Sequence, residues 1–283
     1  MQRLSLVDED FDLKQSKDFY IMSIQLSLDG FSFSVLDSRS RKVICLYHQD
    51  TFTLEPEFYL KKLRSIYEEA DLLQIPYKKT NIFLSLPGKT TLVPLSLFRE
   101  EMAETFFRLT TERSRTGKIM YTLIPDMISC AVYELDQGIY DLLQKKHPGS
   151  HIQHDLLLSS RGYLPAHPLL KIRILRKQME ILSLHDGINF YNTYDWEHET
   201  DQLYYILGTV KNLGLKPGNI LLDGMVNSRE TIYQRLKAYF PKLALNRNNP
   251  VLQYSSLLER LPDARFTNLF NSFSPGLLSG NSA

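Results

Sequence analysis

Cysteine is nearly absent from this chain, with two among 283 residues, Cys45 and Cys130. So low a count excludes a disulfide-stapled secreted scaffold and a multi-cysteine zinc site. Both cysteines fall in apolar runs, Val43-Ile44-Cys45-Leu46 and Met127-Ile128-Ser129-Cys130-Ala131-Val132, and read as reduced core thiols of a cytoplasmic protein. Long hydrophobic runs are lacking too: none approaches the roughly 20 residues of a membrane helix. The opening stretch, Met1 to Asp10, turns acidic where a signal peptide would turn apolar. Charge of one sign is missing as well, since 33 basic and 32 acidic side chains leave a formal net charge of +1. Membrane insertion and nucleic acid are therefore not expected. What remains, 43% hydrophobic and 23% charged residues, describes a soluble globular protein with ample material for a core.

The strongest local signal is the stretch Ile21 to Asp37. Apolar and polar residues alternate on both sides of Asp29-Gly30, the pattern of two half-buried strands about a tight turn. With Asp29-Gly30 as the loop, Leu28 faces Phe31, Leu26 faces Phe33 and Ile24 faces Val35, while Ser27 and Gln25 face Ser32 and Ser34. A third strand, Val43 to His48, follows the polar turn Ser38 to Arg41. A helix from about Glu55 to Leu73 carries Leu60, Leu63, Ile66, Tyr67, Ala70 and Leu73 on one stripe, and Ile82 to Leu86 reads as a buried strand. The same succession returns later. Lys171 to Leu175, Met179 to Leu184 and Asn189 to Tyr194 are strands, Thr200 to Leu213 a helix, and Asn219 to Leu222 the closing strand. Order and spacing recur although residues hardly do, which reads as two copies of one βββαβ unit.

Between the copies the spacing predicts a helix over Leu97 to Leu109, with Phe98, Met102, Phe106 and Leu109 on one face. It also predicts a basic loop at Arg113 to Lys118, strands at Ile119 to Ile124 and Ile128 to Tyr133, and a helix from Leu135 to Lys145. Gly88-Lys89-Thr90 suggests a P-loop, but Phe83 stands where the first glycine belongs, so Pro87-Gly88 reads as a turn. His147, His151 and His154 straddle a Pro-Gly break without a carboxylate at ligand spacing and read as surface residues. Asp195, Glu197, Glu199 and Asp201 read as acidic residues favoured at a helix start, and Trp196, Tyr204 and Tyr205 as core aromatics.

A duplicated βββαβ core resembles the ribonuclease-H-like half-domain of the actin, hexokinase and Hsp70 superfamily of ATPases. The chain is also similar to an uncharacterised bacterial domain-of-unknown-function family assigned that actin-like fold. The stretches that carry this likeness are Leu26 to Asp29, Thr91 to Phe98, Phe190 to Tyr194 and Glu199 to Tyr205. The resemblance implies an α/β protein with a cleft between two halves. These would be residues 20–160 and 161–270, with 1–19 as a loosely held arm and 271–283 as a flexible tail.

It also implies where a nucleotide would sit. In active members the first turn of each half wraps a phosphate, with backbone N–H groups on the anion and an Asp holding hydrated Mg²⁺. Here the first turn, Asp29-Gly30-Phe31-Ser32, lacks the spacer and carries a bulky Phe31, and its counterpart Arg176-Lys177-Gln178 has neither Asp nor Gly. The adenosine motif, Leu222-Asp223-Gly224-Met225-Val226, is one glycine short, and the helix behind it opens on the capping-box pattern Asn227 to Glu230. Were ATP and Mg²⁺ bound, Asp29, Gly30, Ser32, Asp223 and Gly224 would hold them. With every motif degenerate, no cofactor and no catalytic residue is expected. The expectation is a non-catalytic scaffold or interaction module whose partner is another protein, the alternative being an ATPase or small-molecule kinase.

Overall fold

Residues 3–27, 30–51, 56–85, 90–112, 114, 116–161, 168–215, 219–261 and 264–274 are described by a computed structural model. The N-terminal residues, expected as a loose arm, contain a strand, β1 (Arg3–Val7), paired antiparallel with β4. Lys42 ties the same stretch down through Asp8 and Asp10, both at 3.0 Å. A short helix, α1 (Ser16–Phe19), leads into β2 (Tyr20–Ser27), β3 (Gly30–Asp37) and β4 (Lys42–Gln49), an antiparallel meander.

The β2–β3 register differs from the expected one. Ser27 pairs with Gly30, Leu26 with Phe31 and Ile24 with Phe33, so Gly30 opens β3 instead of closing a type I′ turn. Leu28 and Asp29 lie outside the described residues. The cause is close packing: at Gly30 (φ +146°) an added Cβ would lie 2.2 Å from the Gln49 carbonyl oxygen. Glycine is needed for the approach of β4. The slip leaves the pleat unchanged, and Met22, Ile24, Leu26, Phe31, Phe33 and Val35 still share one buried face.

Against that face packs α2 (Pro56–Glu69) through Tyr59, Leu63, Ile66 and Tyr67. Next, β5 (Lys79–Ser85) runs parallel to β2. An inserted unit follows, built from β6 (Thr90–Pro94), α3 (Ala103–Arg108), β7 (Gly117–Ile124) and β8 (Ser129–Asp136), whose sheet order is β6-β8-β7. The helix expected from Leu97 to Leu109 forms only from Ala103, after a 3-10 turn at Glu100–Met102. Phe107 and Ala103 are consequently buried along with the expected Phe98, while Met102 and Leu109 are exposed. The first half closes with α4 (Gln137–Lys146), capped by Asp136 through the Ile139 N–H at 3.1 Å, and β9 (His151–His154) parallel to β5.

After α5 (Leu156–Ser160) the pattern repeats with β10 (Leu169–Ile174), β11 (Gln178–Leu184), β12 (Ile188–Asp195), α6 (Glu199–Asn212) and β13 (Asn219–Gly224), then α7 (Thr231–Tyr239) and β14 (Leu243–Leu245). The first sheet reads β1-β4-β3-β2-β5-β9 and the second β12-β11-β10-β13-β14, so the core orders β4-β3-β2-β5 and β12-β11-β10-β13 coincide. Parallel and antiparallel pairings also coincide. The capping box expected at Asn227 does not form: α7 starts three residues later, and Asn227 accepts from the Arg229 N–H in a tight turn.

The last residues return to the first half. A short strand, β15 (Gln253–Tyr254), pairs with β4, and α8 (Thr267–Asn271) lies over β2 and β3. Leu258, Phe266, Leu269, Phe270 and Phe273 cover Ile21, Leu36, Val43 and Leu46. The meander is therefore buried on both faces instead of one. Ser272 and Phe273, expected in a flexible tail, are sealed from solvent, and residues 275–283 lie outside the described residues.

Candidate functional site

The three turns singled out by the sequence converge on one region. Asp50, next after β4, touches the space above Gly30 and pairs with Arg176, on the turn between β10 and β11, at 3.4 Å. Gly224, at φ +86°, rests on Ile174, which leads into Arg176; a Cβ there would lie 2.3 Å from the Ile174 oxygen. Gly30, Ser32, Asp223 and Gly224 are thus gathered where the halves meet, while Asp29 lies outside the described residues.

Each gathered group already has a partner within the chain. The Ser32 hydroxyl lies 2.8 Å from Nδ1 of His48, its neighbour across the β3–β4 ladder. His48 Nε2 is 2.9 Å from Asp50 Oδ1, and the Arg265 guanidinium reaches both, at 3.1 and 3.7 Å. Ser32, His48 and Asp50 form a Ser–His–Asp chain, yet each is sealed within the fold. Burial lowers the His48 pKa, against the opposing pull of Asp50. An acyl-transfer triad needs its serine open to substrate, and this serine is buried, with Arg265 and Phe266 against its His48 partner. Sequence reading missed this chain because Ser32 and His48 meet only across the sheet. Histidine and aspartate two apart at the end of a strand, in the alternation that puts both on one side, were the available signal.

The Gly224 N–H donates to the Ala264 carbonyl at 3.1 Å, and the Met225 N–H to Ile174 at 2.7 Å. The Asp223 carboxylate meets Lys171 Nζ at 3.1 Å and accepts from Asn246 Nδ2, also at 3.1 Å. Lys171 bonds further to Asn268 at 3.3 Å and to the Ser159 carbonyl at 3.4 Å. One step along β10, Arg173 pairs with Asp155 and lies 3.8 Å from Glu180. Glu180 accepts from the Ser85 hydroxyl at 2.7 Å, and Asp155 from Gln25 Nε2 at 3.3 Å. Burial, then the charge of Asp155, raises the Glu180 pKa, and Arg173 opposes them.

A ribbon of buried charge therefore crosses between the halves. Its origin is the alternation Lys171-Ile172-Arg173: Ile172 faces α6 and α7, so both cations face the first half. Charged side chains in the middle strand of a sheet were the readable sign of it.

Other candidate residues separate. His147 Nε2 lies 2.9 Å from the Tyr67 hydroxyl, and burial lowers its pKa to about 4. His151 is exposed, and His154 is buried with Nε2 2.9 Å from Thr90 Oγ1. The surface reading therefore holds for His151 alone, and among the described residues no group of three or more His, Cys, Asp or Glu could hold a metal ion. Gly88, Lys89, Arg113 and Arg115 lie outside the described residues; Lys118 sits 3.5 Å above the Tyr140 ring. Asp201 accepts from the Glu197 and His198 N–H groups at 3.1 and 2.9 Å, which lowers its pKa. Tyr205 stacks on Tyr194 at 4.6 Å and Trp196 donates to the Leu175 carbonyl, whereas Tyr204, expected in the core, is 73% exposed. Cys45 and Cys130 are free and buried, as their apolar settings predicted.

Two sheets of the same strand order, meeting at the turns that carry the phosphate and adenosine motifs in that superfamily, define an actin-like ATPase fold. Among solved structures the chain is similar to a protein of unknown function with that fold from Bacteroides thetaiotaomicron VPI-5482. Identity is 22%, coverage 83% of this chain and 93% of that one, and the TM-score 0.73. At 10% identity it is similar to a chain of the PilM-PilN type IV pilus biogenesis complex, over 89% of this chain and 95% of that one, with a TM-score of 0.57. By its sequence the chain belongs to the family described as protein of unknown function (DUF3822), whose model matches residues 8–243. None of the curated proteins matches it.

Proposed function

We propose that this protein is a non-catalytic scaffold, an actin-like body that engages another protein in the cytoplasm and leaves nucleotide unbound. The observation that carries the reading is the commitment of the groups a nucleotide would use. The Gly224 N–H donates to Ala264, Asp223 is paired with Lys171, and Ser32 is bonded to His48. A phosphate or magnesium ion would have to displace buried bonds within the chain, each costly to break. Likeness in fold to a component of a pilus biogenesis complex supports a protein partner by analogy alone. No described helix is long and apolar enough to cross a membrane.

Calorimetric titration with Mg-ATP tests the reading. No binding is expected down to a Kd of about 100 µM. Binding tighter than that, lost in Asp29→Asn, would replace the scaffold reading with an ATPase or small-molecule kinase.

A further inference from the structure

The second sheet ends in an open edge. Strand β12 pairs with β11 on one side, and on its far side no strand pairs with it among the described residues. Edge strands are usually blunted by charge, proline or brevity. The edges of the other sheets and the far edge of this one carry such features: β1 begins at Arg3 and runs into the Asp8 and Asp10 ion pairs, β6 ends on Pro94, β7 carries Lys118, and β9 and β14 are short. By contrast β12 carries Ile188-Asn189-Phe190-Tyr191-Asn192-Thr193-Tyr194, with no charge and no proline before Asp195.

Both faces of this strand are supported. Phe190 and Tyr194 pack on the α6 side, Ile188 and Tyr191 on the side of the first half. Among the described residues no strand covers the main chain along the outer edge. The Trp196 N–H donates to the Lys177 carbonyl at 3.1 Å. Alternation along an antiparallel ladder then turns residues 192 and 194 towards β11, and Tyr191 and Thr193 outwards.

We propose that two copies of this chain associate through β12, edge to edge and antiparallel, about a twofold axis at Asn192. This register matches the strand to itself. Tyr191 of each copy faces Thr193 of the other, and each such pair exchanges main-chain hydrogen bonds. On the α6 side Phe190 meets Tyr194 of the second copy, and the two Asn192 side chains face one another, able to pair amide to amide. No like charges are opposed. On the same side Tyr205 stacks on Tyr194, and the exposed Tyr204 packs edge-on against Tyr205. A second copy satisfies the edge without a foreign sequence, and the twofold makes the contact closed.

Sedimentation of the wild-type chain at about 100 µM, well above the Kd of a weak specific dimer, is expected to show a dimer. Thr193→Pro removes an outward N–H without touching the β11 ladder, and should give a monomer. Asn192→Cys places the two new thiols directly opposite, at a Cα separation suited to a disulfide of about 5 Å. Mild oxidation should therefore link it to a dimer on a non-reducing gel, while the equally exposed Lys211→Cys stays monomeric; Cys45 and Cys130 are buried and give no background. A monomeric wild type, or a dimer that Thr193→Pro leaves intact, overturns the proposal. If Thr193→Pro fails to fold, the cysteine pair decides: no link through Asn192→Cys, or equal linking through Lys211→Cys, overturns it.

Discussion

A lysine and an aspartate both sealed from water are costly to bury unless they meet, and Lys171 and Asp223, at 2% and 1% exposure, meet as an ion pair. Removing one member strands the other. Asp223→Ala should cost about 3–5 kcal/mol. The double variant Lys171→Met/Asp223→Leu buries no charge and should regain most of that loss in urea unfolding. A double variant no more stable than Asp223→Ala would show that Asn246, Asn268 and the Ser159 carbonyl, not the ion pair, dominate the site. At this scale the sequence was legible in identity more than in role. Asp223 and Gly224 were marked for a nucleotide; in the structure Asp223 is paired with Lys171, and the Gly224 N–H donates to Ala264. That Asp223 answers a lysine on a neighbouring strand could not be read, because the partner lies far along the chain and meets it only through parallel pairing of β10 and β13. The Ser32–His48–Asp50 chain was hidden for a like reason.

Among the elements, the opening hairpin shows how a correct pattern can carry a wrong register. Alternation fixed which residues share a face, and turn chemistry fixed a loop shifted by one residue from the one that forms. Gly30 answers instead to Gln49 on the third strand. Gly30→Val should therefore cost about 2 kcal/mol or more, and even Gly30→Ala should lower the melting temperature, since its Cβ would overlap backbone. A Gly30→Ala protein melting with wild type would show that β4 yields to the added methyl group. Long strands with strong apolar alternation, β2 to β5 and β10 to β13, were legible. The strands β1, β6, β9, β14 and β15 were not. In β9, His-Ile-Gln-His holds a single apolar side chain, and its place comes from parallel pairing with β5, which no local pattern announces. The helix expected from Leu97 began late because the 3-10 turn before Ala103 breaks the helical period, putting Met102 and Leu109 in solvent.

At the scale of the whole molecule, the halves are joined by more than the chain. Leu169, Leu182 and Leu184 of the second sheet share a core with Phe83, Leu156, Leu157 and Leu158, and the ion pairs of Arg173 lie beside it. Independent unfolding of either half would expose that core and uncouple buried charges. Both halves should consequently melt together. Trp196 is the only tryptophan and lies in the second half, so its fluorescence reports that half, while far-ultraviolet dichroism reports both. The two melting curves should superpose, and an earlier fluorescence transition would show that the second half opens alone. The duplicated architecture was legible from the order of elements, whereas the return of residues 253–274 to the first sheet was not, for that segment repeats nothing. Its return bears on biosynthesis. A ribosome delivers the chain from its N-terminus, and domains commonly fold in that order. Here the first sheet would emerge early with Ile21, Leu36, Val43 and Leu46 uncovered, to be sealed only when Phe266, Phe270 and Phe273 leave the exit tunnel. The nascent first half thus keeps an apolar face open to water until residues 266–273 have been made.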